Sequence, residues 1–301
     1  MRVAQLTAFV RRCAAHRWIR RGLAAAALVA ALAVAGWLAL LAAAARMPID
    51  LSRLTSGDVS SHLFDRQGRP LRAYLGNDER WRIPVTLDEV SPWLVKATLA
   101  VEDERFFRHR GIDPLAVARA ALTNIARARI VSGASTISMQ VAMLGEPRTR
   151  SLGWKLRQAF RALQIERRLT KRQILELYFT NAPYGGNVCG AEAAARRYFA
   201  KSARDLTLAE AALLAGVPQS PSRLRPDRRP AAALRRQRVV LDRMLKTGAI
   251  TPEERDRALS AKPAVGAYDA VNEAPHFCDY VHYLYPRETV SYTHLTLPTI
   301  Y

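Results

Sequence analysis

The sequence predicts a mainly α-helical domain with a small N-terminal β-hairpin, preceded by one transmembrane helix. An uncharged apolar run fills residues 23–45. Two short alternating segments then flank a Gly/Pro turn, and from Leu87 onward capping residues and helix breakers follow one another at helical intervals. The chain has 301 residues, 50% of them hydrophobic, which is enough to bury one substantial core.

The N-terminal run "LAAAALVAALAVAGWLALLAAAA" is long enough to cross a hydrocarbon layer of about 30 Å. Six arginines precede it, whereas only Arg46 follows it closely, so the positive-inside rule places the N-terminus in the cytoplasm. A cleavable signal peptide is the alternative, because residues 42–45 are small. Both interpretations predict that the main domain is exported.

The elements after the span can be placed in chain order. "SHLF" and "LRAYL" flank "DRQGRP" and predict the hairpin. Ser91 and Pro92 predict the start of a helix that continues through "WLVKATLAVEDERFF" until Gly111 stops it. Asp113 caps a second helix, which runs to about Arg129, and Ser135 caps a third. Five further helices are predicted at 154–168, 171–181, 190–199, 207–215 and 230–246.

The chain is strongly basic, with 46 Lys and Arg against 26 Asp and Glu and a formal net charge of +20. Such a charge favours phosphate-bearing partners. Residues 228–259 could mimic a DNA-binding helical pair, but DNA is not available to an exported domain, so we interpret them as a solvated basic helical hairpin. Within it, "KTG" at 246–248 is interpreted as a helix C-cap.

The three cysteines, Cys13, Cys189 and Cys278, form no disulfide framework. A bridge between Cys189 and Cys278 stays open, although small buried apolar residues are the favoured interpretation. No Cys/His spacing is typical of zinc, so no metal site is predicted.

A cluster of acids lies in "VEDERFFRHRGID", residues 101–113. Successive helical residues turn by about 100°, so Glu102, Asp103 and Glu104 cannot all face one cleft. We predict that Glu102 is the reactive group, with Phe106 one turn further on to shield it. Asp103 is expected to orient the following loop, and Glu104 to be solvated.

The spacing of this cluster resembles the first motif of glycosyltransferase family 51, the peptidoglycan polymerases of class A penicillin-binding proteins and monofunctional transglycosylases. The matching positions are Glu102, Asp103, Phe106, His109, Gly111 and Asp113. "SGASTISMQVAML" resembles the second motif through Gly133, Ser135, Thr136 and Gln140. Exposed amides and hydroxyls before a helix suit a phosphate, although a capped helix alone would look the same.

The remaining motifs extend the resemblance over about residues 55–228. The third and fourth motifs match at Lys155, Glu176, Tyr178 and Asn181, and "LTLAEAALLAGVPQSPSRLRP" resembles the fifth. "RPDR" at 225–228 and "APHF" at 274–277 are similar to the 1C branch of the class A proteins.

The resemblance implies a lysozyme-like glycosyltransferase domain that polymerises lipid II and releases undecaprenyl pyrophosphate with inversion. It implies Glu102 as general base and Asp103 as a second catalytic-site acid. The substrate-binding residues that it implies are Phe106, His109, Gly133, Ser135, Thr136, Gln140, Lys155, Arg157 and Gln158. Lys155, Arg157 and Thr136 would stabilise the leaving pyrophosphate, and a divalent cation, Mg or Mn, is a candidate helper held by the phosphates.

Two positions depart from the family pattern. Met143 stands where most members carry a lysine, and Gln158 where they carry a second glutamate. Arg148, Arg150 or Arg157 are candidates to replace the lysine. The departures also keep open an inactive cell-wall assembly scaffold, and a lytic muramidase is the other alternative.

These inferences predict a bacterial inner-membrane protein that crosses the membrane once. The predicted segments are a cytoplasmic tail (1–22), the membrane helix (23–45), a linker with the hairpin (46–88), the glycosyltransferase domain (89–228) and a helical hairpin with a linker towards a transpeptidase domain (229–289). The expected partners are lipid II, the growing glycan strand, the membrane and other cell-wall synthesis proteins, with no nucleic acid. Residues 290–301 resemble the translation of a sequencing adapter, and we expect different residues there in the natural chain.

Overall fold

The chain divides into two units, Met1–Ile49 and Asp50–Tyr301. The computed structural model describes residues 59–284 except 68–69, 128–132, 145, 147–150 and 267–273, together with scattered positions between 21 and 46. Most of the predicted span and all of residues 290–301 lie outside the described residues. Within the described part, no helix combines the length and the apolar character needed to cross a membrane. The membrane span stays a prediction.

The described strands form two small sheets. The predicted hairpin is confirmed, since β1 (Ser61–Phe64) pairs antiparallel with β2 (Pro70–Tyr74). A second sheet, not predicted, has the order β3, β5, β4, with β3 at Trp81–Arg82, β4 at Pro183–Gly185 and β5 at Val188–Cys189. It pairs β5, from the middle of the helical region, in parallel with β3, which lies in the chain that leads into that region.

Helices make up most of the second unit, which confirms the predicted mainly α fold class. They are α1 (Pro92–Glu102), α2 (Pro114–Ala126), α3 (Ile137–Val141), α4 (Leu152–Arg168), α5 (Lys171–Asn181), α6 (Ala191–Phe199), α7 (Leu208–Gly216), α8 (Pro230–Lys246), α9 (Pro252–Ser260) and α10 (Pro275–Leu284). Threonine capping boxes begin α5, α7 and α9, and the predicted starts of α5 and α7 lie within one residue of the observed ones.

Two predicted helix boundaries were wrong. The first helix ends at Glu102, because Asp103 leaves helical geometry and caps it, and Phe106 lies in a separate short 3₁₀ turn. The third helix is capped by Thr136 rather than Ser135, since the Thr136 hydroxyl accepts the amide of Met139.

The core is organised around α7, whose residues are nearly all buried. Its small side chains allow α1 and α8 to pack closely against it. The interpretation of residues 228–259 as a merely solvated hairpin was therefore wrong, because α8 buries Ala233, Val240, Leu241 and Met244 in this core. The C-cap prediction for "KTG" is confirmed, since α8 ends at Lys246 and Gly248 adopts a φ of 71°.

Cys189 and Cys278 are both buried, and neither forms a disulfide. This confirms their interpretation as small buried residues, and burial raises the pKa of both thiols.

Candidate active site

Glu102 is the last residue of α1 and is half-buried. Its Oε2 accepts a hydrogen bond of 2.7 Å from Nε2 of Gln140 on α3. The two residues are 38 positions apart, so the fold brings together the first and second motifs at this carboxylate.

Asp103 holds the loop after α1 in place. Its carboxylate lies 3.0 Å from Nε2 of His109 and accepts the amide of Ile137 at 3.0 Å. Asp103 and His109 are only 7% and 6% exposed, so both belong to the interior. The geometry makes this pair a support for Glu102 rather than a surface that contacts a ligand.

Thr136 is also used internally. Its hydroxyl donates to the carbonyl of Gly111 at 2.6 Å and accepts the amide of Met139 at 3.1 Å, and the residue is 2% exposed. Gly111 has a φ of 91°, and a Cβ there would lie 2.9 Å from the backbone of Ala162. The Thr136 hydroxyl therefore fixes a turn that only glycine fits, and it is not presented to a substrate.

Phe106 does not shield Glu102 by stacking one helical turn away, because α1 ends before it. The ring is fully buried and lies 4.2 Å from Nζ of Lys171, which also donates to the carbonyl of His109. The sequence-based expectation of a Glu102–Phe106 stack was wrong because it assumed a continuous helix.

A polar and basic wall is built from α4 and the segment before α3. Nζ of Lys155 donates to the hydroxyl of Ser135 at 2.7 Å and to Oε1 of Gln158 at 2.9 Å. Gln158 is 4% exposed, and its Nε2 donates to the carbonyl of Met139 at 2.9 Å. Lys155 itself is exposed, as are Arg157 and Gly133, so this wall offers positive charge to an anionic ligand.

Met143 points into the protein rather than towards this wall. It is 6% exposed, and its sulfur lies 3.9 Å from Nη1 of Arg161, which forms an ion pair with Glu146. Arg148 and Arg150, two of the candidates to replace a lysine here, lie outside the described residues. Arg157, the third candidate, is exposed on α4, and Arg161 was not anticipated.

The five-residue helix α3 connects all these parts. The amide of Ile137 donates to the Asp103 carboxylate, and the Ser138 hydroxyl donates to the Glu166 carboxylate. The Met139 carbonyl accepts a hydrogen bond from the Gln158 side chain, and the Gln140 side chain donates to the Glu102 carboxylate. A helix this short has little intrinsic stability, so these side-chain contacts hold it. The second motif is thus the structural centre of the site.

Two residues near Glu102 were missed from sequence. Tyr184, on β4, is fully buried, and Arg236, on α8, lies across Gly216. The charge of Glu102 acts to raise the pKa of both groups, although burial lowers the pKa of Arg236 overall. Burial and Glu102 together raise the pKa of Tyr184. No helical or strand period marks these residues, because tertiary packing, such as that of α8 on α1 and α7, places them here.

No group of three or more His, Cys, Asp or Glu side chains suited to a metal ion occurs in the described part of the chain. Asp103, the acid next to Glu102, does not fit as a metal ligand, because His109 and the amide of Ile137 occupy its carboxylate.

The family model described as Transglycosylase matches residues 67–245, more than half of the chain. The chain belongs to this transglycosylase family, which confirms the resemblance seen in its motifs. It is 45% identical over 189 residues to penicillin-binding protein 1C of Escherichia coli K12, an alignment that covers 63% of this chain and 24% of the relative. It is 39% identical over 223 residues to penicillin-binding protein 1A of Aquifex aeolicus VF5, covering 74% of this chain and 30% of the relative.

The chain therefore spans about a quarter to a third of the length of these relatives. Among solved structures it matches a crystal structure of penicillin-binding protein 1A from Haemophilus influenzae, with a TM-score of 0.42 and 24% identity, over 75% of this chain and 24% of that one.

Proposed function

We propose that this chain is a peptidoglycan glycosyltransferase that polymerises lipid II into glycan strands and releases undecaprenyl pyrophosphate. The observation that carries the proposal is the pairing of a half-buried carboxylate, Glu102, oriented by Gln140, with a wall that exposes Lys155. Membership of the transglycosylase family and the relatives named as penicillin-binding proteins support it.

Glu102 acts as the general base. It takes the proton from the 4-hydroxyl of the acceptor sugar as that oxygen attacks the anomeric carbon of the donor, and the bond to the pyrophosphate oxygen breaks with inversion. Gln140 holds Oε2, which leaves Oε1 for the acceptor hydroxyl. Because α1 is packed in the core, the carboxylate needs little reorganisation to reach this geometry.

The α4 wall compensates the negative charge of the pyrophosphate with two positively charged side chains. Lys155, Ser135 and Arg157 are accessible and suit phosphate oxygens. Asp103, Phe106, His109 and Thr136 serve as supports, and Gln158 acts through Lys155. A divalent cation, if it accompanies the pyrophosphate, would rest on the substrate oxygens.

A membrane location suits a lipid-borne substrate. Helix α2 carries the exposed apolar side chains Leu115, Val117, Leu122 and Ile125, and Phe107 is exposed just before it. Such a face fits an interfacial position, in line with a single-pass inner-membrane protein whose catalytic domain is periplasmic. The growing glycan strand and other cell-wall synthesis proteins are the proposed partners.

The test is product analysis with the purified protein and labelled lipid II. Long glycan strands are expected. Cleavage of preformed glycan without polymerisation would instead support a lytic muramidase, and no conversion of either substrate would support a scaffold. Either of these two results would overturn the proposal.

A further inference from the structure

Lys171 is the first residue of α5, and its ammonium group lies among residues of the candidate active site. Nζ donates to Oε1 of Glu166 at 2.6 Å and to the carbonyl of His109 at 2.7 Å. It also lies 4.2 Å from the centre of the Phe106 ring. The dipole of a helix opposes a cation at the N-terminus, so α5 itself does not favour a lysine here. The contacts of Nζ therefore explain this residue better than the helix that carries it.

The bond from Lys171 to His109 fixes the loop that follows Glu102. The ring of His109 lies 3.0 Å from the carboxylate of Asp103, which is the residue directly after Glu102. Asp103 and His109 are both buried, and Lys171 holds the backbone of His109 from the other side. The end of α1 is thus connected to the start of α5 through two hydrogen bonds.

The bond from Lys171 to Glu166 fixes α3. Oε1 of Glu166 accepts the hydroxyl of Ser138 as well as Nζ of Lys171, and the Glu166 side chain is only 5% exposed. Ser138 lies on α3 two residues before Gln140, whose Nε2 donates to Oε2 of Glu102 at 2.7 Å. Because α3 has five residues and little stability of its own, its position depends on such bonds.

The two connections end at the same carboxylate. One reaches Glu102 through its chain neighbour Asp103, and the other through Gln140. The amide of Ile137 joins them, since it belongs to α3 and donates to Asp103. A buried ion pair alone is weak evidence of a stabilising role, because apolar residues of similar volume often serve stability as well. The convergence on Glu102 gives the Lys171–Glu166 pair a second role.

We propose that Lys171 is a positioning residue for the polymerisation reaction. It holds the loop after α1 and the helix α3 in register, so that Glu102 meets the acceptor hydroxyl in the reactive orientation. The proposal rests on the proposed role of Glu102 as general base. Lys171 acts through His109 and Glu166, and this role requires no contact between Lys171 and the substrate.

The chain offers a matched control for this lysine. Nζ of Lys201 donates to Oε1 of Glu210 at 2.9 Å, and the two side chains are 34% and 10% exposed, against 22% and 5% for Lys171 and Glu166. Glu210 otherwise bonds to the Thr207 cap of its own helix, α7. Lys201→Met therefore also removes the cation from a largely buried carboxylate, but at a pair that serves a helix cap.

The kinetic test compares Lys171→Met, Lys201→Met and the wild type in lipid II polymerisation. We expect Lys171→Met to lower kcat at least about tenfold with KM within about twofold of the wild type, because misplacement of the base affects the chemical step more than binding. Lys201→Met should keep kcat within about twofold of the wild type. Equal losses of kcat in the two variants would contradict the proposal.

The double variant Lys171→Met/Glu166→Gln separates positioning from stability. Replacing Glu166 removes the buried carboxylate that Lys171→Met leaves without its cation, so at least about half of the loss in Tm should be recovered. The bond to the His109 carbonyl is still missing, so kcat should stay at least about fivefold below the wild type. A kcat that recovers together with Tm would show that Lys171 acts through stability alone and would refute the proposal.

Hydrogen exchange of α3 tests the connection without any activity. In Lys171→Met we expect the amides of residues 137–141 to exchange at least about tenfold faster than in the wild type, whereas in Lys201→Met they should be unchanged. Unchanged protection of α3 in Lys171→Met would contradict the proposal. Faster exchange in a protein whose wild type does not polymerise lipid II would leave the connection standing and refute the proposed function.

Discussion

The substitution Gln158→Glu introduces the glutamate that the motif resemblance implies at this position, yet it should weaken this protein. In the wild type, Nε2 of Gln158 donates to the Met139 carbonyl at 2.9 Å in a site that is 4% exposed. A carboxylate would place two acceptors against each other there, which costs about 1–3 kcal/mol. The other carboxylate oxygen would form an ion pair with Lys155, but because Lys155 is exposed this pair stabilises the protein by at most about 1 kcal/mol.

The middle of these ranges gives a net loss of about 1.5 kcal/mol, which lowers Tm by roughly 3–6 °C for a domain of this size. Thermal unfolding at neutral pH measures it. The deficit should shrink towards about pH 5, because a protonated carboxyl again offers a donor to the Met139 carbonyl. Gln158→Met is the control, since it loses both hydrogen bonds without gaining a titratable group and its deficit should not depend on pH. An unchanged or higher Tm in Gln158→Glu would refute this account of the site.

Two further predictions concern the scaffold. Gly111→Ala should destabilise the protein by more than about 2 kcal/mol in chemical denaturation, because φ is 91° and the new Cβ would lie 2.9 Å from the Ala162 backbone. Gly133→Ala is the control, since a Cβ there meets nothing within 4 Å, and its stability should be within about 0.5 kcal/mol of the wild type. The hydrogen bonds from Arg225 lower the pKa of Asp227 below its usual 3.8, so this carboxylate stabilises the fold above that pH and the contribution is lost as the pH falls through the folded-state pKa. Asp227→Asn should therefore lower Tm at pH 7, and the deficit should shrink as the pH falls below 3.8; a deficit that does not change with pH would contradict the assignment.

Local chemistry made most helices predictable. Ser91 with Pro92, Asp113 with Pro114 and the "KTG" C-cap placed boundaries within a few residues, because caps and breakers act through neighbouring backbone groups. The early end of α1 was missed, since no breaker stands between Glu102 and Phe107 and tertiary contacts of Asp103 decide the geometry.

Motif spacing selected residues that the fold brings into contact, but it did not predict the contacts themselves. Motif spacing selected Glu102, Gln140 and Lys155, and the fold places Gln140 on Glu102. Spacing does not separate a residue that faces the cleft from one that supports it, so Thr136 was expected to bind substrate although its hydroxyl is used internally. Arg236 carried no sequence signal, because its position across Gly216 depends on the packing of α8 on α7.

The most direct test of the account compares Glu102→Gln with Glu104→Gln in lipid II polymerisation, with lipid II binding measured alongside. Glu102 is half-buried and bonded to Gln140, whereas Glu104, two residues on, is exposed. We predict that Glu102→Gln lowers kcat by about 10²–10⁴ while lipid II binding and Tm stay close to the wild type, and that Glu104→Gln has nearly wild-type activity. Polymerisation by Glu102→Gln at a rate similar to that of Glu104→Gln would contradict the central claim that Glu102 is the general base.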